Sequence, residues 1–483
     1  MARPRVERTV DDPMPLDQPQ ATSAPTAAVV RAGKFEALSA HFTAIARGTS
    51  DRHGAQRDAI FVFLVRATSA AILYVSQIIL ARWMGAADYG IYVWVWTLVL
   101  VLGGISHLGV GPSLVRLLPM YRETGQMDLF RGLMIGSRWL AFVCGSVVSF
   151  TAYWALRTFA SDIDDVYLLP AMLGTVCIPL FAMTDLQDGL GRAQGWMAVA
   201  LVPPYILRPL ALLSTMAIAH AAGFPMDAIT ATLAAIIACW ASSMVQTLMV
   251  QQRLDSEVEK GPRTYAFPVW VKSSLPLLII YASELVLQNT DVLVLSAYLP
   301  PQVVGMYFAA AKTMALVMFV HYAVGSAVAK DFAALHARGD RVALAAYARD
   351  AVQWTFWPSL AATLAILALG KPLLWLFSPS FTDAYPVMLV LAGGFMFRAS
   401  VGPAEFVLNA LGEQKRCAAV AVIAASINIG LNLLLVPELG MMGAAIATAS
   451  ALATGAVLFA YVARQRTGLD LSILQVMRPT RNV

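Results

Sequence analysis

The chain has 483 residues, of which 59% are hydrophobic and only 13% charged, with a formal net charge of +5 and a mean hydropathy of +0.67. The charged share is about half that of soluble proteins. No soluble domain of this size could bury so much apolar surface, so a water-soluble globular protein is excluded and a bilayer is the implied solvent. The basic excess needs no nucleic-acid partner, because its placement along the chain reports membrane topology.

Residues 1–57 differ from the rest. The stretch "RPRVERTVDDPMPLDQPQATSAPTAA" is rich in Pro, Ala and charge and almost free of large apolar residues, which predicts a disordered tail. It has no apolar core of the kind a secretion signal needs. Phe35, Leu38, Phe42 and Ile45 recur at helical spacing beside Lys34, His41 and Arg47, the pattern of a short amphipathic helix on a membrane surface or of a plain solvated helix.

Twelve apolar runs come next, near 60–81, 91–115, 134–156, 167–189, 198–219, 227–250, 268–297, 303–328, 350–369, 385–409, 417–436 and 441–463. These are spans 1 to 12. Each approaches the roughly 20 residues a helix needs to cross a bilayer. Backbone in lipid must satisfy its own hydrogen bonds, so the runs are predicted as helices. Short alternating segments of the barrel type are not visible. Pro203, Pro204 and Pro276 fall in or near spans and are expected to kink them.

Charge sets the orientation. With the N-terminus cytoplasmic, the cytoplasmic side carries Arg116, Arg122, Arg131, Arg192, Arg253, Lys260, Arg263, Lys330, Arg338, Arg341, Arg349, Lys415, Arg416, Arg464, Arg466, Arg478 and Arg481. The other side keeps Arg82, Arg157 and Lys371 and holds the acidic group Asp162, Asp164 and Asp165. This positive-inside bias predicts both termini in the cytoplasm. The domain reading is a tail at 1–57, an N-lobe at 58–250, a cytoplasmic linker at 251–266, a C-lobe at 267–464 and a second tail at 465–483. Cys144, Cys177, Cys239 and Cys417 lie far apart in apolar runs, without metal or redox spacing, and read as free buried thiols.

The two halves repeat. "ADYGIY" at 87–92 and "VVGMYF" at 303–308 place Gly90 and Gly305, and Tyr92 and Tyr307, 215 positions apart. The same shift lays spans 1 and 2 on spans 7 and 8 and Trp139 on Trp354, while "DGLG" at 188–191 resembles "NALG" at 409–412. Six spans followed by six in the same orientation indicate two lobes related by a parallel internal repeat. In each lobe the Gly is expected to permit a tight opening turn and the Tyr to anchor at the membrane interface.

Three segments carry a family resemblance. "LARWMGAADYGIYVWVWTLVLVLGGISHLGVGPSLVR" resembles the N-terminal signature of bacterial polysaccharide flippases, of the superfamily that includes multidrug extruders and lipid-linked oligosaccharide exporters. "NTDVLVLSAYLPPQVVGMYFAAAK" resembles their seventh-span signature, and "NIGLNLLLVPELGMMGAAIATASA" that of the eleventh and twelfth helices. The resemblance covers roughly 60–465. It implies an all-α polytopic membrane protein of twelve transmembrane helices, with two six-helix lobes in a V around a central cavity. It also implies transfer of an undecaprenyl-pyrophosphate-linked sugar from the cytoplasmic to the periplasmic leaflet by alternating access, for surface-polysaccharide export across the bacterial inner membrane. Glycan polymerases are candidate partners.

A charge at mid-bilayer costs about 2.5–3.5 kcal/mol on insertion scales, so each needs a reason. Arg66, Asp185, Asp188, Arg208, Glu284, Asp291, Lys312, Arg398 and Glu405 all fall within or at the ends of spans. Tyr281, Glu284, Gln288 and Asp291 follow i, i+3, i+7, i+10 and are expected to share one face of span 7. Under the repeat, Tyr281 lands on Arg66, Glu284 on Ser69 and Asp291 on Ser76. Two equivalent polar stripes would line a water-filled cavity between the lobes. The cations Arg66, Lys312, Arg208 and Arg398, with His107, His321 and Tyr281, are the candidate substrate contacts, since a pyrophosphate is held by charge-assisted hydrogen bonds. Glu284, Gln288 and Asp291 are the candidate contacts for a coupling proton or sodium ion. Against this stands a purely structural role, with Arg208 and Arg398 pairing with Asp188 or Glu405. His107 and His321 sit one per helix without a partner at ligand spacing, which favours cavity histidines over haem. Asn428 and Asn432 read as interhelical glue.

No site for catalysis is visible in such short loops, and no Walker A motif appears, so no enzyme and no cofactor is expected. The other readings are a drug or cation antiporter or a peptidoglycan-precursor flippase of the same superfamily, and, from another class, a membrane glycan polymerase or ligase, which would present a large outside loop.

Overall fold

The structure, a computed structural model, describes residues 51–476, with the side chains of 51–64, Arg66, Ala67, Asp162, Lys330, Ala337, Gln475 and Val476 outside that description. The expected tail and its surface helix therefore lie outside the described residues up to position 50, and backbone helix has already begun at Asp51. Residues up to Phe61 group as a unit of their own, and a second, far larger unit runs from Val62 onward and holds the spans.

Every regular element among the described residues is helical. Ten helices are long and apolar enough to cross a membrane, or eleven if the bent pair Asp165–Gly174 and Cys177–Gln194 is one span. The first, Thr68–Glu123, is 56 residues long and holds both span 1 and span 2. It folds at Gly85, where φ is 78° and ψ 172°. The Tyr89 hydroxyl donates to Gln77 Oε1 at 3.0 Å across that fold, a contact that a straight helix would not allow between residues about 18 Å apart along its axis. Counting both spans gives the twelve that the sequence predicts.

Several spans are broken where function or packing asks for it. Span 2 stops at Ser106 and resumes as Val110–Glu123, with Leu108 (φ 53°) and Gly109 (φ 72°) left-handed between them. Span 4 bends by 47° between Gly174 and Cys177. Span 8 breaks between Pro301–Ala315 and Met318–Arg338, and span 10 between Tyr385–Ala399 and Ala404–Ala410. Span 5 shows how lipid-embedded backbone survives a proline pair. Pro203 has no N–H to give the Val199 carbonyl, and the turn at Pro203–Leu207 widens to a π-helix. Span 6 (Ala228–Glu257) repairs the loss: Gln246 Nε2 donates to Val199 O at 3.1 Å and Ser242 Oγ to Pro203 O at 2.8 Å. Freed carbonyls are met by a neighbouring helix, as a bilayer demands.

One hydrophobic core joins both halves at the end opposite the basic loops. It contains Tyr89, Tyr92 and Val95 of span 2, Leu212 and Met216 of span 5, and Val304, Tyr307 and Phe308 of span 8, with Phe377 and Phe381 of the loop before span 10. At the basic end there are two separate cores. The first holds Leu114, Phe130, Leu186 and Leu254 of the N-terminal half with Trp270 of span 7. The second holds Phe332, Leu344, Val407 and Ile473 of the C-terminal half. Span 7 (Phe267–Tyr298) thus leaves its own half at the basic end. Trp270 Nε1 donates to the Tyr121 hydroxyl at 3.2 Å and Ser274 Oγ to Ser113 Oγ at 2.7 Å.

The repeated Gly-x-Tyr has a different purpose from the expected one. Gly90 and Gly305 lie inside helices and pack against each other: a Cβ at Gly90 would run into the Pro301 carbonyl oxygen, and one at Gly305 would lie 2.9 Å from Ala86 O and 3.2 Å from Gly90 N. The glycines are there for close approach of two helices, and the turn belongs to Gly85. Tyr92 and Tyr307 are buried and do not anchor at a membrane interface. Trp139 and Trp354, also a repeat pair, are 63% and 48% exposed, as lipid-facing residues would be.

The linker and the chain just after span 12 both pack onto the spans. The helix of span 6 runs on to Glu257, and the chain beyond it straps onto span 3, where Thr264 N–H donates to Asp128 O at 3.0 Å and Thr264 Oγ1 to Asp128 Oδ2 at 2.8 Å. After span 12 (Met441–Thr467), Leu469, Leu471 and Ile473 are buried in the C-terminal core, and Ile473 N–H donates at 2.9 Å to Ser400 O, exposed by the break in span 10.

Candidate functional site

The ionisable side chains inside the spans sort into four places. The first lies between spans 2, 4 and 7. Asp185 Oδ2 accepts from the Tyr281 hydroxyl at 2.8 Å and lies 2.9 Å from His107 Nε2, and the His107 and Tyr281 rings are 5.5 Å apart. One turn on, Arg192 pairs with Asp188 through Nε and Nη2 at 3.0 and 2.5 Å, and the Tyr205 hydroxyl is 3.5 Å from Asp188.

The second is Arg208 on span 5. Its guanidinium lies 5.1 Å from the Trp96 ring centre and 5.3 Å from that of Phe181. It does not pair with Asp188, which Arg192 has taken. The third lies in the core shared by the halves. Asp291 is buried, its Oδ1 accepting from Val292 N–H and its Oδ2 from the Tyr307 hydroxyl at 2.7 Å. Lys312 sits with its ammonium 5.0 Å from the Phe308 ring, and next to it Thr313 meets the Tyr74 hydroxyl at 3.0 Å, tying span 8 to span 1. Among the described residues, neither Arg208 nor Lys312 has a carboxylate within salt-bridge distance.

The fourth place is inside the C-terminal half. Arg398 Nη2 and Glu405 Oε2 pair at 3.0 Å across the break in span 10. They border a hollow of about 70 Å³ that Glu284 and Asn409 also line. Gln288 and Tyr322 both approach Glu284 Oε1 at 3.4 Å. His321 is 4% exposed, packed against Phe406, with neither ring nitrogen hydrogen-bonded to protein.

The expected stripe on span 7 is therefore split. Tyr281 turns to the N-terminal half, Glu284 faces the C-terminal hollow while Gln288 is exposed and only approaches Glu284, and Asp291 is enclosed by Tyr307. A period of 3.6 puts four residues on one face but says nothing of which neighbour packs on each part of it. The side chain of Arg66 lies outside the described residues. Of the two pairings weighed from sequence, Arg398 with Glu405 is made and Arg208 with Asp188 is not. Asn428 Nδ2 donates to Thr448 Oγ1 at 3.2 Å, joining spans 11 and 12, whereas Asn432 bonds within its own helix. An apolar hollow of about 460 Å³ between spans 2, 3 and 4, bordered by Leu98, Leu102, Val148 and Ala152, touches none of the candidates. Sequence reading missed Tyr307 and Arg192 as partners. The spacing of Asp188 and Arg192, i to i+4, was a readable signal.

Comparison with known families decides what kind of protein carries these features. The family described as "Polysaccharide biosynthesis protein" matches residues 55–329, more than half of the chain. The chain belongs to that family. The MatE family also matches, over 276–434. Among curated relatives, the chain is 26% identical over 172 residues to the probable low-salt glycan biosynthesis flippase Agl15 of Haloferax volcanii, covering 35% of this chain and 36% of that one. It is 29% identical over 178 residues to the uncharacterized membrane protein MJ1068 of Methanocaldococcus jannaschii, covering 36% and 34%. The matched region thus spans about a third of either relative. Among solved structures, the inward-facing conformation of a multidrug resistance MATE family transporter superposes with a TM-score of 0.69 at 13% identity, covering 83% of this chain and 94% of that one. Lipid II flippase MurJ in an inward closed conformation gives 0.67 at 14%, covering 84% and 87%. At such identity the likeness is one of fold. The chain is a multi-pass membrane protein of the polysaccharide biosynthesis protein family.

Proposed function

We propose that this chain is a flippase that carries an undecaprenyl-pyrophosphate-linked oligosaccharide from the cytoplasmic to the periplasmic leaflet of a bacterial inner membrane, for surface-polysaccharide export. Both termini are cytoplasmic, so the basic end faces the cytoplasm and the shared core closes the periplasmic end. Alternating access follows from that arrangement: the halves part and meet at the two ends in turn. Arg66, Arg208 and Lys312 are the proposed contacts for the pyrophosphate, with His321 and Arg398 nearer the C-terminal hollow. The acidic group of Glu284 with Gln288 is the proposed seat of a coupling proton or sodium ion, and Asp291 acts beside Lys312.

The observation that carries this reading is the pair of membrane cations, Arg208 and Lys312, that lean on aromatic rings and, among the described residues, have no carboxylate within salt-bridge distance. A cation desolvated in a bilayer without a counter-charge is costly, and an anionic cargo would supply that charge in passing. The family match and the naming of Agl15 as a probable glycan flippase support the same reading. The test is lipid analysis of a strain lacking the gene. It should accumulate a lipid-linked glycan, removed by the wild-type gene and not by one carrying Arg208→Ala with Lys312→Ala. A strain with an unchanged pool of lipid-linked glycans would overturn the reading. The acidic C-terminal hollow and the MatE match favour a cation antiporter as the second reading, and increased drug sensitivity of that strain would select it.

A further inference from the structure

Span 3 holds a cation inside its apolar run that meets no acid. Arg138 is only 8% exposed. Its Nε donates to Met134 O at 3.2 Å, and its Nη2 reaches Gln251 Oε1 of span 6 at 3.5 Å, the outer limit of a hydrogen bond. A guanidinium carries more N–H donors than these two, and the rest have no partner among the described residues. No carboxylate lies within salt-bridge distance of Arg138 among those residues. The charged neighbour that bears on it is a second cation, Arg263 of the linker. The linker is fixed to span 3 by Thr264 on Asp128 and by Arg131 Nε, which donates to Glu259 O at 2.7 Å. Acids at this end are engaged elsewhere, Asp128 with Thr264 and Asp255 with Gln251.

Arg138 also lines a slot of about 330 Å³ between spans 3, 4 and 6. Its walls are Ile135, Trp139 and Phe142 of span 3, Met183 of span 4 and Thr247 of span 6. Trp139 and Phe142 are exposed on the surface of a membrane span, where lipid is the solvent. The Thr247 hydroxyl already donates to Ser243 O and accepts from Gln187 Nε2. Arg138 is therefore the lining group with donors left unused. Its bond to Met134 O shows the side chain running back toward the basic end, the direction in which a membrane arginine snorkels. An apolar slot with an uncompensated cation at its interfacial end matches a lipid whose headgroup has net negative charge. A phosphate accepts the guanidinium's paired N–H groups and offsets its charge. A zwitterionic lipid brings a cation of its own to the same place and relieves less.

We propose that this slot binds an anionic phospholipid of the leaflet at the basic end, with its phosphate between Arg138 and Arg263 and one acyl chain along Trp139 and Phe142. The headgroup pins the linker to span 3 beside the Thr264 contact. None of the proposed cargo contacts lines the slot, so the site does not depend on what the protein carries.

The full chain is reconstituted in phosphatidylcholine vesicles that contain a little phosphatidylglycerol with a photoreactive acyl chain, and the labelled peptides are read by mass spectrometry. Label should fall on span 3 around Trp139 and Phe142. Plain phosphatidylglycerol should compete for it and extra phosphatidylcholine should not. Arg138→Gln should cut the labelling about tenfold, the loss of one hydrogen-bonded charge contact, and Arg138→Lys should keep part of it. Phe142→Trp, which narrows the slot and leaves both cations, should lose the label too, and it decides the matter if Arg138→Gln does not insert. Arg157→Gln, at the other end of span 3, should change nothing. Label that survives Phe142→Trp, that falls equally in Arg157→Gln, or that phosphatidylcholine displaces as well would overturn the site. Displacement by undecaprenyl phosphate but not by phosphatidylglycerol would give the slot to a polyprenyl cargo and overturn it as well.

Discussion

Arg208 and Lys312 differ from Arg192 and Arg398 in resting on aromatic rings with no carboxylate within salt-bridge distance among the described residues. A cation–π contact is worth about 0.5–2 kcal/mol, too little to recover the cost of leaving water, and this is why they are proposed to serve an anion. Arg208→Ala and Lys312→Ala should insert normally and lose glycan export, read by complementation of a deletion strain. Arg66→Lys should recover only part of what Arg66→Ala loses, since an ammonium keeps the charge but not the forked donor geometry. Arg398 makes the contrast. Its pair with Glu405 bridges the break in span 10, and removing one partner of a partly buried pair leaves the other charge uncompensated. Arg398→Ala should therefore lower the melting temperature in detergent, and adding Glu405→Gln should restore most of it. At this scale one of the two pairings weighed from the sequence, Arg398 with Glu405, is made and the other is not. Arg208 and Asp188 are suitably spaced to be paired on paper, but Arg192 lies on the same helix as Asp188 and needs no tertiary contact to reach it.

The spans themselves were legible because apolar length is a direct physical requirement of the bilayer. Their breaks were not. Nothing local marks Leu108 for positive φ, since that backbone is imposed by span 7 pressing on Gly109. Likewise Leu469, Leu471 and Ile473 look like a tail because three apolar residues among polar ones carry no period. Only the core beneath them and the free Ser400 carbonyl give them a place. Truncation after Gly468 should then destabilise the C-terminal half, since each fully buried aliphatic side chain contributes about 1.5–3 kcal/mol. Limited proteolysis should show faster cutting near the Ser400 break, whereas equal rates would mean the segment only rests there. Gly90→Ala should also destabilise, because its Cβ would strike backbone that cannot swing away. Overpacking of about 1–3 kcal/mol is expected, visible as poor yield of folded protein.

For the whole molecule, the charge bias gives a sidedness that labelling can test. A cysteine at Thr264 should react only from the cytoplasm and one at Asp164 only from outside, and the reverse pattern would invert the orientation. Removing residues 1–30 should leave export near normal, because their composition cannot support a packed core. Loss of export with normal expression would mean that this segment holds a needed partner. The two-part build was readable from the 215-residue repeat, while the union of the halves at one end and their separation at the other was not. Which ends pack depends on contacts between residues hundreds of positions apart, and a hydropathy profile carries no information about them.

The meeting of Gly90 with Gly305 fixes more than a contact. The first abuts the Pro301 carbonyl and the second the Ala86 carbonyl, while Gly90 and Gly305, and likewise Ala86 and Pro301, lie 215 positions apart. Such reciprocity is what a twofold symmetric interface shows, where i touches j and j touches i. A residue that touches its own repeat mate must sit on the axis relating the copies. A pseudo-twofold relating the two halves would therefore pass close to this glycine pair. Tilting of either half about that point leaves the glycines in place, so the pair is the fulcrum. A half-length ancestor would have made the same contact with a second copy of itself.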